Sequence, residues 1–359
     1  MRVVVRPKNS AIAVVIVMIT IAALAGLAGL FAFMMKVETK LARNAKAEAQ
    51  LTWLGRSGVE YARWVLAQQL SVPNEPYDAL NQIWAGGPGT MNLSNSPLAE
   101  VSLDNYQLGN GKFSIKITDL ERKFNINMAN DQILQQALVL VGLDASQIPV
   151  ISDSVQDWID NDDVPRVEGA ENSYYQGLNP PYYAKDGPID DLSELLLIRG
   201  VTPEIYWGPA YREHSLSGGE QLIDQNGQSV EPQTYPVGLV DLFTAVSSGR
   251  ININTASETE LQLIPLVDEN IASQIVQLRA GPDGADGTDD DTPFQNVGEL
   301  VNAGLSAPVV QQISRYCTVR SSTFKVEVDA EVGGARRRFY AILGRNNPKD
   351  VQVLSFYWE

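Results

Sequence analysis

The segment DWIDNDDVPRVEGAE gathers Asp157, Asp160, Asp162, Asp163, Glu168 and Glu171 into fifteen residues, with Pro165 and Gly169 bending the chain between them. Carboxylate oxygens offered by a flexible loop suit a hard cation that takes six to eight oxygen ligands, so the pattern points to Ca2+ rather than zinc or copper. The Asp160-x-Asp162 step resembles an EF-hand start, although the twelve-residue loop with its central glycine is missing. An acidic run capped by Arg166 also reads as a solvated loop, the commoner use of such charge. A second loop, GPDGADGTDDDTPF at 281–294, sets Asp283, Asp286 and Asp289 among glycines as a weaker cation site would, and as ordinary turns do.

Other chemistry is poorly provided for. His214 is the single histidine, which removes His-based triads and most zinc sites. Cys317 is the single cysteine, so no intrachain disulfide can form and a buried thiol is expected. No Gly-x-Ser-x-Gly nucleophile motif occurs, and nothing places two carboxylates across a substrate at glycosidase separation. Enzymatic activity is therefore not expected. With 43 acidic against 27 basic side chains, the chain would repel nucleic acid and anionic lipid unless a local patch reversed the sign.

These loops hang on a chain that begins with a long apolar run. Ala11 to Met35 carries no charge, long enough as a helix to cross a ~30 Å hydrocarbon core. Arg2, Arg6 and Lys8 precede it, so the positive-inside rule keeps the N-terminus cytoplasmic and sends everything after the span across the membrane as a single-pass protein. No proline interrupts the sequence from there to Pro73, and residues 36–70 read as a stem continuous with the span. Residues 71–110 are rich in Pro, Gly, Asn and Ser and read as loops. GKFSIKITDLE then alternates Phe113, Ile115 and Ile117 with polar partners, the pattern of a half-buried strand. Phe324, Val326 and Val328 alternate likewise, turn at Gly333-Gly334 and return through Phe339, Ala341 and Leu343, with VQVLSFYW as a further strand. Four strands laid on the stem would form one sheet across the middle block.

That middle, 124–316, contains a repeat. Asn125-Ile126-Asn127-Met128-Ala129 and Asn252-Ile253-Asn254-Thr255-Ala256 share one opening, and PIDDLSELLLIRGV at 188–201 is echoed by PFQNVGELVNAGL at 293–305. The Asn-x-Asn openings are expected to start helices, their side-chain oxygens accepting from first-turn N–H groups. Such units resemble the helix-hairpin-helix (SAM-like) modules of membrane-tethered DNA receptors in competence systems. The turn that should approach phosphate reads PLVDEN at 265–270, however, and Asp268 and Glu269 would meet it with like charge.

The span, the duplicated insertion, DWIDNDDVPRVEGAENSYY, PYYAKDGPIDDLSELLLIRGVT and the closing strands, in this order and over nearly the whole chain, resemble the K-class minor pseudopilins of type II secretion systems. The resemblance implies an α+β pilin-like fold, a long N-terminal helix on an antiparallel sheet. Its parts are a leader at 1–10, a span at 11–35, a stem at 36–70, a first pilin-like part at 71–123, an α-helical insertion of two units (about 124–208 and 250–316) and C-terminal strands at 317–359. It further implies cleavage by a prepilin peptidase with methylation of the new terminus, contact with the inner-membrane secretion platform, and partners among the I- and J-class minor pseudopilins, with no nucleic acid. Calcium is bound by some relatives of this class. Leaders of this kind usually end in glycine, whereas here the cut falls at Asn9/Ser10 or Ser10/Ala11, making Val14 or Val15 the fifth mature residue. Pilin-like subunits generally carry Glu at that place, and its absence, as in the K class, suits a subunit at the tip of the pseudopilus. The alternative is the membrane-anchored DNA receptor.

Overall fold

The computed structural model describes residues 10–90, 93, 96–211 and 233–358; His214 and Asn9 lie outside them. Helix α1, Ser10–Gln69, runs for 60 residues, about 90 Å, as one rod through span and stem. Among the described residues it is the one helix long and apolar enough to cross a membrane. Its upper part buries Leu51, Leu54, Val59, Ala62, Val65 and Leu66. Two glycines let it lie close on the sheet: a Cβ at Gly55 would collide with the Phe339 ring, and one at Gly58 with Val328.

The sheet has five antiparallel strands in the order β1-β2-β7-β8-β9, built from β1 (Tyr106–Leu108), β2 (Gly111–Asp119), β7 (Thr323–Val332), β8 (Ala335–Asn347) and β9 (Asp350–Trp358). A short edge strand, β1, thus joins the four expected from the sequence. The register sets Ile115 and Phe339 on either side of Val328, and Ile117 and Ala341 beside Val326, so every inward residue of the alternating pattern meets another. Gly333 and Gly334 both have positive φ, which the two-residue hairpin between β7 and β8 requires. Trp84, from the loops after α1, closes this core edge-on against Phe324 at 5.2 Å.

β2 and β7 are neighbours, with Asp119 opposite Phe324, and the chain between them forms a second hydrophobic core of its own. Four very short strands bind this insertion: β3 (Phe124–Asn125) pairs in parallel with β4 (Phe243–Thr244), and β5 (Ile251–Asn252) with β6 (Cys317–Thr318). Cys317 is buried and its thiol is pushed up to about 12 by burial. Cys317–Thr318 therefore pairs with the insertion, and the main sheet resumes at Thr323 rather than at 317.

The first Asn-x-Asn opening caps only a single 3-10 turn, Ile126–Met128, with Asn125 as its N-cap, and neither opening starts the longer helix that follows. Asn125 and Asn252 each accept from the N–H two residues on, at 3.0 Å, closing a tight turn. Asn127 then exchanges two hydrogen bonds with the backbone of Ile189, and Asn254 two with that of Phe294. The helix that follows the first opening, α2 (Asp131–Val141), is capped by Asn130, and the Glu258–Leu261 turn after the second is capped by Ser257. An amide side chain, able to donate and accept at once, can pair a passing backbone segment on both sides, which explains its use here.

Buried polar groups lock the insertion to the sheet. Asp119 accepts from Asn252, Thr255 and Ser321, and Glu121 from Ser248 and Ser322. Arg345 pairs with Asp78 beside them, both fully buried. Burial, followed by the nearby Asp119, raises Glu121 to about 7.

Candidate metal centre

Helix α3, Gln147–Ile159, packs on α2 through Ile151, Val155 and Trp158 and ends where its C-cap residue, Asp160, turns into extended backbone. From that point the acidic loop doubles back on the helix. Asp157, still helical and fully buried, accepts from the Arg166 N–H at 3.2 Å, and the missing side chain of Gly169 is what lets the loop pass its carboxylate. Burial raises the Asp157 carboxyl above the usual range, while the Arg166 N–H opposes that. Asp157 is thus spent on folding the loop.

Among the described residues, one group of three acidic side chains converges: oxygens of Asp160, Asp162 and Glu171 all lie within 4.8 Å of one another. Oxygens this close together could serve as ligands of one calcium ion. Asp162 also accepts from the Val164 N–H at 2.9 Å, and the Asp160 carboxylate lies 3.4 Å from the Asp162 N–H. Glu171 is only 1% exposed, and neither carboxylate oxygen has a hydrogen-bond partner. Burial, then the charges of Asp157, Asp160, Asp186 and Asp163, pushes it up to about 7. A buried acid left without a donor among four like charges is costly unless a cation joins it, so the donor set fits a hard divalent ion.

Asp163 lies beside this group and accepts from the Asn172 N–H at 3.3 Å, whereas Glu168 points outward and its backbone N–H binds Asp153. Asp186, a charge near Glu171 outside the converging three, is one that sequence reading missed. It sits beyond the acidic window, at φ 50°, with one buried oxygen unpartnered and the other 3.4 Å from Asn172. Its only sequence signal was the Asp-Gly step before Pro188.

The second loop is arranged differently. Asp286 gives both oxygens to Arg279, at 2.9 and 2.7 Å, and Arg279 also binds the Ile253 carbonyl. Asp283 accepts from the Ala285 N–H, while Asp289 is exposed. Asp290 and Asp291, outside the expected set, take backbone N–H groups of Asp283 and Gly287. Internal donors account for this loop.

At the PLVDEN turn, Leu266 adopts φ 68°, where a phosphate-binding hairpin would use glycine, and Asp268 caps the helix Glu269–Arg279. A carboxylate occupies the position a phosphate would need.

On the stem, Val37 and Leu41 stay exposed below the sheet, and Trp53 and Trp64 stay exposed on the side turned from it. The helix therefore has an apolar surface to spare.

Comparison with known proteins places this architecture. A family model described as type II secretion system (T2SS), protein K matches residues 112–207. Type II secretion system protein K of Klebsiella pneumoniae is 23% identical over 274 residues, 70% of this chain and 73% of that one. The Pseudomonas aeruginosa protein of the same description is 24% identical over 291 residues, 78% and 71% of the two chains. The crystal structure of the GspK-GspI-GspJ complex from enterotoxigenic Escherichia coli contains a chain that superposes with a TM-score of 0.62 at 19% identity, covering 89% of this chain and 99% of that one. With a long apolar N-terminal helix on an antiparallel sheet and a helical insertion between its strands, the chain is similar to the type II secretion system protein K family, and these matches support a K-class minor pseudopilin.

Proposed function

We propose that the chain is the non-enzymatic tip subunit of a secretion pseudopilus, initiating or capping its assembly in export across the outer membrane. The observation that carries this reading is where the insertion sits. The β7–β8 turn lies at the span side of the sheet, near Glu48, which pairs with Arg337, whereas the insertion leaves from Asp119 and Phe324 at the other end. A bulky domain there obstructs any subunit stacked above, and the apolar fifth mature residue, Val14 or Val15, removes the carboxylate with which a subunit would neutralise a neighbour's terminus. The bulk of the chain then lies in the periplasm. I- and J-class minor pseudopilins, the company kept by the Escherichia coli relative, pack on the exposed stem residues.

The insertion is read as two related units. Matching parallel bridges, matching Asn turns, the Asn127–Ile189 and Asn254–Phe294 pairs, and glutamates that hold the N–H four residues earlier (Glu194 with Asp190, Glu299 with Gln295) support a duplication. In the first unit, Asp160, Asp162 and Glu171 would hold Ca2+, with Asp163 and Asp186 beside them. The ion would cross-link the loop to the end of α3. Maturation tests the assignment: with prepilin peptidase active, intact-mass measurement should find a methylated chain beginning at Ser10 or Ala11. A chain beginning after residue 35, or one still carrying Met1, would refute it.

A further inference from the structure

The stem just above the span carries Lys36, Lys40, Arg43 and Lys46, all exposed, and none makes an ion pair with a described residue. They follow one another at four, three and three positions, so each is the surface neighbour of the next. Like charges at that spacing destabilise a helix. The only acids nearby give no relief: Glu38 sits at no pairing position to any of the four, and Glu48 is held by Arg337. The stripe also runs against the positive-inside bias if the stem is exported, since it sets four cations after the span against three before it.

Geometry supplies the counter-charge. The stripe starts one residue beyond Met35, where the apolar run ends, and spans about 15 Å along the axis. The headgroup layer occupies roughly the first 5–7 Å of that distance. Helical side chains lean toward the N-terminus, which here is the membrane side, so even Arg43 and Lys46 reach back toward it. Leu54, on the same face above Lys36 and Lys40, is buried beneath the sheet, so this end of the stripe faces the gap between sheet and bilayer, while Lys46 lies below the exposed Trp64. The exposed apolar pair Val37 and Leu41 is turned away by about a third of a turn, onto the side where Val59 and Leu66 meet the sheet higher up.

We propose that Lys36, Lys40, Arg43 and Lys46 form a binding stripe for anionic phospholipid headgroups, which fixes the height and tilt of the stem above the bilayer. The inference needs the span to enter a membrane and does not depend on the tip assignment. Each cation near an anionic surface contributes roughly fivefold in affinity. The test is native mass spectrometry of the full chain in detergent, titrated with dioleoyl-phosphatidylglycerol or dioleoyl-phosphatidylcholine. Wild type should retain the anionic lipid at least tenfold better. The K36Q/K40Q/R43Q/K46Q variant should hold both lipids equally, and K36R/K40R/K46R should keep the preference. Circular dichroism checks that the helix is intact in both. Equal retention by wild type, or an anionic preference that survives the four glutamines, overturns the proposal. So does a glutamine variant that keeps the preference but loses the partner pseudopilins, which would assign the stripe to protein contacts.

Discussion

Replacing Glu171 by Gln should act in opposite directions on the metal-free and the calcium-loaded protein. Without metal, the Glu171 carboxylate is buried, unpartnered and surrounded by four acids. An unsatisfied buried group costs about 1–3 kcal/mol, more when charged, so the neutral amide should stabilise the metal-free fold by on the order of 1 kcal/mol. With calcium the order reverses. A ligand bound only by the folded state at a hundred times its Kd adds about 2.7 kcal/mol, and a domain of this size shifts by about 2–4 °C per kcal/mol. Wild type should therefore gain roughly 5–10 °C in the insertion's transition, and Glu171→Gln should lose that gain. The assay is calorimetry on chelator-stripped protein with and without calcium, with Asp283→Asn as a control that keeps the shift. No shift in wild type, or an undiminished shift in Glu171→Gln, would refute the argument and return the loop to solvent.

The close approach of stem and sheet gives a second outcome: Gly58→Val places a branched side chain against fully buried Val328. Overpacking of about 1–3 kcal/mol should then outweigh the recovered helix propensity and lower the pilin-domain transition in a melting curve. A third concerns pH. Glu121, at about 7 when folded against an ordinary unfolded value near 4.3, keeps its proton in the fold between those limits. Its contribution is thus full below about pH 4 and lost as pH rises to 7, on the order of 3 kcal/mol. Urea unfolding at pH 5 and pH 7 should show Glu121→Gln losing less stability over that interval than wild type.

The pilin-like part was legible because its signals are periodic. Phe113, Ile115 and Ile117, and Phe324, Val326 and Val328, alternate as strands must, and paired glycines announce the hairpin. The uncharged run to Met35 and the proline-free stem announce one helix. Long-range pairing was not legible. Nothing local tells that Asn127 spends its amide on Ile189, or that Asp119 and Glu121 tie the insertion to Ser321 and Ser322. The acidic loop was visible as a cluster, but its division of labour was not. Asp157 anchors the loop because the i→i+3 step from Asp157 to Asp160 carries the chain from buried helix to its cap, and Asp186 enters from a segment fifteen residues past Glu171. Asp286 is drawn off by Arg279, a partner on the preceding helix.

The central claim is that this chain assembles with the I- and J-class minor pseudopilins through the exposed stem, and it is tested most directly by co-purification. The chain is mixed with both partners and with duplex DNA at low and high salt, and the molar mass of the eluting complex is measured. Apolar contacts through Trp53 and Trp64 should give one complex containing all three proteins, retained at high salt and free of DNA, and Trp53→Glu/Trp64→Glu should dissolve it. A chain that elutes alone, or that holds DNA at low salt and releases it steeply as salt rises, would contradict the account.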